Sequence, residues 1–327
     1  MAPEVRTQHR LSRRARLAVS VASLAGSSLY SSVALAAPCC AGGGSLPAMI
    51  TGDEATQLTL TTSAGTVIGD APAEGIPVFR SSRVRESSQL LKIDAATVLP
   101  GELDRWQAGV SVPMTRHDFW RADSGSNSAM ALGDVQLGTA FEFLPEWSYS
   151  AWKPKGFVFA QLTLPTGRSI YESAATDAVD AGGKGFTTAS AGMILVKRWS
   201  TWDASLTAQV SRSFGRDFAA ISGSEPLSVA PFWGASASAS VGWSRGAFRA
   251  GLRLQPVYTQ ALTTSTPSSL SVSSYKLSWD TGLDATWLVN DDWSLSGSYV
   301  DQTLLGPAVN ASLSRTVSVT LLRRWPR

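Results

Sequence analysis

From Tyr275 to Val289 the chain reads YKLSWDTGLDATWLV, and its residues alternate between two kinds. Tyr275, Leu277, Trp279, Thr281, Leu283, Ala285, Trp287 and Val289 form one set; Lys276, Ser278, Asp280, Gly282, Asp284, Thr286 and Leu288 form the other. A period of two sends these sets to opposite faces of a strand, one apolar and one polar. Strands of soluble sheets are usually shorter. A strand this long, with aromatic rings at both ends of its apolar face, suits an outer-membrane β-barrel.

Alternation and turn chemistry predict twelve strands, over residues 56–69, 89–98, 106–116, 134–143, 157–164, 186–199, 204–214, 232–243, 247–258, 275–289, 293–301 and 313–325. Connections after even strands are mostly tight, such as Ser244-Arg245-Gly246 and Asn290-Asp291-Asp292. Those after odd strands are long: 70–88, 117–133, 165–185, 215–231 and 259–274. Short periplasmic turns and long external loops are the habit of outer-membrane barrels. The expected fold is therefore all-β: a closed antiparallel transmembrane β-barrel of about 12 strands, with both termini periplasmic. The connection over 144–156 is the exception, being long for a periplasmic turn.

In the strand over 232–243, Trp233, Ala235, Ala237, Ala239, Val241 and Trp243 face lipid, while Gly234, Ser236, Ser238, Ser240 and Gly242 face inward. Tilted by about 45°, the ten-residue span covers roughly 25 Å, the height of an outer-membrane apolar band. Val317, Val319, Leu321 and Trp325 point outward in the last strand, and Pro326-Arg327 follow where such proteins usually end on an aromatic. Tryptophan placement gives a separate check. Nine of the 12, at 106, 147, 152, 199, 202, 243, 287, 293 and 325, fall at or beside the predicted periplasmic ends, where indole rings favour the bilayer interface.

The N-terminus points to export. Arg6, Arg10, Arg13, Arg14 and Arg16 form a basic stretch ahead of an apolar, small-residue segment, and Ala34-Leu35-Ala36 supplies a cleavage signal. This divides the chain into a secretory signal peptide (1–36), a Gly-rich periplasmic tail (37–55) and the barrel (56–327). The Arg13-Arg14 pair resembles a twin-arginine signal, but that route carries folded proteins, so the general secretory route fits a barrel better. Cleavage also removes the basic excess: five of 28 Lys+Arg and one of 25 Asp+Glu leave 23 positive and 24 negative side chains, a net of −1. The charge balance gives no reason to expect nucleic acid. Cys39 and Cys40 lie just past the cleavage site without the small and aliphatic neighbours a lipid-modified cysteine wants, and a bridge between adjacent residues is strained.

Two elements in the middle of the chain stand out. Leu132-Gly133-Asp134, with Leu137-Gly138, opens one strand; Gln161-Leu162-Thr163-Leu164-Pro165-Thr166-Gly167 closes the next. With these elements the chain resembles, from about Ala131 to the C-terminus, the outer-membrane barrel family named for the "MetA-pathway of phenol degradation", a distant relation of hydrophobic-compound channels. Ala131 stands where that family often has glycine. The resemblance implies an outer-membrane location and passage of aromatic or other hydrophobic molecules, and it carries over no catalytic residue. Pro165 also has a local reason: it cannot donate to a ladder, so it ends pairing, and Gly167 lets the loop turn.

Inward positions collect charge of both signs, at Lys92, Asp94, Asp134, Glu142, Arg198, Arg249, Arg253, Lys276, Asp280, Asp284 and Arg324. If Tyr258 pairs with Tyr275, Arg253 faces Asp280 and Arg249 faces Asp284. Such pairs either satisfy polar groups in a narrow barrel, at about 0.2–1 kcal/mol each, or form a selectivity filter. Phe157 and Phe159 also point inward, where they line a greasy slide or fill the bore. His117, beside Asp118 at the outer rim, resembles a placement in surface proteases and phospholipases of this architecture, but no G-x-S-x-G elbow or placed nucleophile accompanies it. Loop acids Glu172, Asp177 and Asp180 have no known cation-loop spacing. The reading is a non-enzymatic barrel in the outer membrane of a Gram-negative bacterium, with no catalytic residue, metal or cofactor. It would act as a passive channel for small hydrophobic or aromatic solutes, or as a structural barrel with a closed lumen. Its expected partners are outer-membrane lipids, the barrel-assembly machinery and such solutes.

Overall fold

The computed structural model describes residues 48–72, 76–220 and 225–327. The expected signal peptide, its cleavage site, Cys39 and Cys40 lie outside the described residues. Twelve strands form the wall: β1 (Glu54–Ala71), β2 (Val84–Val98), β3 (Trp106–Arg121), β4 (Val135–Leu144), β5 (Lys155–Leu164), β6 (Thr188–Arg198), β7 (Trp202–Ser213), β8 (Phe232–Arg245), β9 (Phe248–Thr259), β10 (Lys276–Leu288), β11 (Trp293–Asp301) and β12 (Ala311–Pro326). Each pairs antiparallel with the next, and β12 pairs with β1 from Glu54↔Pro326 to Ala71↔Ala311, so the sheet has no free edge. Closure lets the edge groups of β1 and β12 pair with each other inside the wall, which hydrocarbon demands. No helix among the described residues is long and apolar enough to cross a membrane.

The alternation places side chains as the sequence predicts. On the outer face, Leu252, Leu283 and Val317 are each 55% exposed and belong to a continuous apolar belt, whereas Asp94, Gln107 and Thr286 on the inner face are buried. Tryptophans gather at the lower rim: Trp202 and Trp243 are register partners, and Arg323 lies over the rings of both Trp293 and Trp325. The periplasmic turns are local chemistry. Gly246 takes φ +59° between β8 and β9, and the Asn290 side chain accepts from the N–H groups of Asp292 (3.0 Å) and Trp293 (2.8 Å) between β10 and β11.

Four connections take shapes that the alternation does not predict. Residues 117–133 are no open loop: β3 continues to Arg121, and Gly125–Leu132 returns antiparallel beside it as a tall hairpin. Polar residues stand on both faces there, Arg116, Asp118, Ser126 and Ser128 on one and His117, Arg121 and Asn127 on the other, so the alternation that marks a membrane strand is missing. The external stretches 214–231 and 260–275 form a small sheet of their own, from Arg216–Phe218, Leu227–Val229, Thr263–Ser265 and Leu270–Val272. Three-residue strands are too short to show a period. The long 145–154 connection folds along the outside of the lower rim, where Glu146 pairs with Lys197 and the Trp199 indole donates to Ala151 O (3.1 Å).

Prolines shape the wall. Pro113 has no N–H for its neighbour, and opposite it the ladder breaks between Leu132 and Val135, with Gly133 N donating to Pro113 O (2.8 Å). Pro256 does the same between β8 and β9, where pairing skips from Ser236↔Val257 to Ala239↔Leu254.

Candidate functional site: the barrel lumen

The lower lumen holds a piece of the chain itself. Residues 48–53, just ahead of β1, run along the inner wall, and Met49 and Ile50 are buried. Gln107, inward on β3, holds them as a neighbouring strand would. Ile50 N donates to its Oε1 (2.6 Å), and its Nε2 donates to Ile50 O (3.1 Å). A carboxamide offers both a donor and an acceptor, so one side chain satisfies both backbone groups. Gln57 Nε2 donates to Met49 O (2.9 Å), and Lys155 Nζ reaches Gly52 O (3.3 Å). Gly109 permits this approach, since a Cβ there would lie 2.6 Å from Ala48 O. Met49 packs on an apolar patch of the inner wall formed by Ala140, Phe157, Phe159, Ile194 and Val196. Burying one methionine side chain contributes about 1.5–3 kcal/mol.

Phe157 and Phe159 thus belong to one inward cluster on β4–β6. The Phe159 ring lies across Gly192, where a Cβ would sit 2.6 Å from its Cζ. Above it on β5 stands Gln161, inward and buried.

The charged residues meet differently from the sequence expectation. The β9–β10 register pairs Tyr258 with Leu277, not Tyr275, so Arg249 faces Thr286, Arg253 faces Gly282, and Asp280 faces Gln255. The two tyrosines still touch, as a diagonal pair with ring centroids 5.9 Å apart. A slip of two residues preserves which face each side chain takes, so nothing in the hydrophobic pattern could detect it. Diagonal neighbours remain within reach of long side chains, and the Arg249 guanidinium bonds Asp284 that way. Its other side forms a fork on Asp203 of β7, Nε to Oδ2 at 2.8 Å and Nη2 to Oδ1 at 2.7 Å. Asp280 accepts from Gln302 Nε2 (2.8 Å), with Arg253 as its diagonal neighbour on β9.

Asp203 is the residue sequence reasoning missed. The predicted strand starts one residue later, at 204, although extending the inward parity of Ser205 and Thr207 back by two reaches it. Elsewhere the inward charges pair locally: Lys92 with Asp94 (3.1 Å), Lys155 with Glu142 (3.5 Å) and Arg324 with Glu54 (3.0 Å).

Asp134 is not a lumen charge. At the ladder break its carboxylate accepts from Gly167 N (3.1 Å), Lys184 N (2.7 Å) and Gly185 N (3.3 Å), while Thr166 Oγ1 accepts from Val135 N and donates to Gly133 O, each at 2.9 Å. The Leu132-Gly133-Asp134 and Leu164-Pro165-Thr166-Gly167 elements are therefore two halves of one clasp. It fixes both ends of the loop over 165–187. Tyr171 and Phe186 of that loop stack with Phe218 of the next external stretch and with Phe232 at the start of β8.

The three loop acids are each engaged by a different arginine: Glu172 by Arg216 (2.5 Å), Asp177 by Arg121 (3.2 Å) and Asp180 by Arg168 (2.6 Å). The Ser173 hydroxyl first, and Arg168 with it, hold the Asp180 carboxyl below its ordinary 3.8 against the opposing effect of burial. A depressed carboxylate stabilises the fold above its unfolded value and loses that contribution as pH falls through the folded one. Hydrogen exchange across residues 168–180, corrected for intrinsic rates, should therefore be unchanged between pH 7 and 5 and accelerate below about pH 4. Asp180→Asn should abolish the step. His117 has Ser88 and Ala129 as register partners, and Asp118 beside it is taken by Arg116 (3.0 Å).

The sequence matches no family model, and no curated protein is similar to it. Among solved structures, an outer membrane channel from Pseudomonas putida F1 superposes with a TM-score of 0.63 at 13% identity, over 86% of this chain and 98% of that one. The transport unit of the autotransporter AIDA-I from Escherichia coli follows at 0.49 and 9% identity, over 84% and 90%. The likeness to the first of these, at 13% identity, establishes architecture alone; with the apolar belt and closed ladder it makes this chain a transmembrane barrel of the outer-membrane type.

Proposed function

We propose that this chain is a passive channel for small hydrophobic or aromatic solutes in the outer membrane of a Gram-negative bacterium, exported by the signal peptide over 1–36 and inserted by the barrel-assembly machinery. The observation that carries this reading is the apolar patch of Phe157, Phe159, Ile194, Val196 and Ala140 on the inner wall. Most inner positions are serine, threonine, glutamine or paired charges, so the patch, once Met49 lifts off it, is where an apolar solute could leave water. The clasp gives the resemblance to the phenol-degradation barrel family a physical basis, and membership of that family is part of this reading. No catalytic residue, metal or cofactor enters it.

One observation favours a second reading. The segment over 48–53 is pinned in the lower lumen, as a structural or surface-interaction barrel with a closed lumen would require. Liposome swelling and planar-bilayer conductance with the purified chain separate the two. Permeation of small aromatic solutes is expected, and failure of every tested solute to cross would favour the closed barrel.

A further inference from the structure

We propose that the outer face of the wall, from β12 across β1 to β2, carries a binding site for a phosphorylated lipid headgroup of the external leaflet. The proposal is independent of the channel reading. Its centre is a cleft of about 520 Å3 where β2 parts from β1. Val78 and Phe79 pair with Asp70 and Gly69 of β1, and Arg80 N donates to Ile68 O (2.9 Å). Pairing with β1 resumes only at Glu86, opposite Val67. The residues between are displaced from β1, and Val84 and Arg85 pair with β3 alone.

The outward side chains at this gap suit a phosphate. Thr66 stands opposite Ser87 on β2 and opposite Arg315 on β12, and Arg85 lies two residues above Ser87 on the same face. Among the described residues the Thr66 and Ser87 hydroxyls have no hydrogen-bond partner. Arg85 has no carboxylate there, and its guanidinium rests over the Trp120 ring (5.5 Å). Arg315 bonds Asp301 through Nε (2.8 Å), which leaves its two Nη groups to donate. Asp118, beside Ser87 on β3, is taken by Arg116 (3.0 Å). Asp70 and Glu86 point to the inner side by alternation, and Arg80 holds both (2.9 and 2.5 Å). The outer face here thus sets Arg85, Arg116 and Arg315 against two carboxylates, Asp118 and Asp301.

Height on the wall identifies the ligand as a lipid. Val317, two residues below Arg315, belongs to the apolar belt, so this row lies where hydrocarbon gives way to headgroups. Beneath the cleft Ala64 stands between Val317 and Gln89, and the exposed Leu91 and Ile93 continue down β2. A small residue between larger ones makes a shallow track for an acyl chain. Guanidinium groups bind phosphate through paired, charge-assisted hydrogen bonds, and hydroxyls donate to its remaining oxygens. Basic pockets at a membrane surface take phosphorylated lipid heads in this way. A soluble anion would gain nothing from the track.

The test is native mass spectrometry of the purified full chain with lipid A carrying two phosphates, with lipid A stripped of both, and with inorganic phosphate as competitor. Heat-modifiable migration confirms that each variant is folded. Wild type should retain the phosphorylated lipid over the stripped one. Arg85→Gln should lower that retention about tenfold, the weight of one charge-assisted hydrogen bond, and leave the stripped lipid unchanged. Ser87→Ala should lower it by less. Equal retention of the two lipids by wild type would mean that the belt alone holds them. Full displacement by millimolar inorganic phosphate would mean a site for the free anion. Unchanged retention in both variants would put the phosphate elsewhere on the wall. Each of these three results overturns the proposal.

Discussion

Replacing Arg249 with alanine is expected to lower the unfolding free energy of the barrel by about 3–5 kcal/mol, the usual cost of removing one partner from a buried ion pair. The cost is high because Arg249 serves two carboxylates from opposite sides, with a two-bond fork on Asp203 and a third bond to Asp284. Arg249 is 6% exposed and Asp203 is 3% exposed, so water cannot replace the lost cation. The wall also makes room for it, since a Cβ at Gly242 would lie 2.3 Å from the guanidinium. Arg249→Lys keeps the charge but loses the planar fork, and should fall between wild type and alanine. The swap of Arg249→Asp with Asp284→Arg should not restore stability. Position 249 would then face Asp203 with a like charge, which is itself destabilising. Urea unfolding in micelles, followed by tryptophan fluorescence, measures each variant. A loss below about 1 kcal/mol for Arg249→Ala would mean the two aspartates are hydrated and the cluster adds little.

That cluster also marks the limit of what alternation reveals. A period of two assigns faces, and it assigned them well. Arg249, Asp280, Phe157 and Phe159 are all buried on the inner side, and β11 spans Trp293–Asp301 as its sequence pattern predicts. Register needs information that faces do not hold. The loop between β9 and β10 is long and forms strands of its own, so its length says nothing about which residue of β9 meets which of β10. Parity alone sends Asp134 to the lumen, but it stands in the break just before β4 begins at Val135, and its carboxylate turns to three backbone N–H groups of the next loop. The cause, Pro113, lies on the neighbouring strand some twenty residues away. The six residues ahead of β1 have no periodicity at all. Their position depends on one glutamine and one glycine of β3, a contact that no local pattern encodes.

Those six residues should control the lumen. Deleting residues 37–53 is expected to raise single-channel conductance markedly over that of the full chain, because it removes the segment that fills the lower mouth. Gln107→Leu is the milder test, since it keeps the side-chain volume and removes both bonds that hold Ile50. Two neutral hydrogen bonds at about 1 kcal/mol each amount to roughly a thirtyfold shift from docked toward released segment. A docked fraction near unity would then give way to frequent openings in planar-bilayer recordings. Met49→Ser should act in the same direction by withdrawing the apolar side chain from the Phe157 and Phe159 patch, and it should expose that patch to solutes. If the segment is the occluding element, the deletion must exceed both single substitutions. A truncated barrel that folds, migrates as heat-modifiable and conducts no better than the full chain would assign the constriction to the wall itself. The ion pairs of the inner face would then be what narrows the bore.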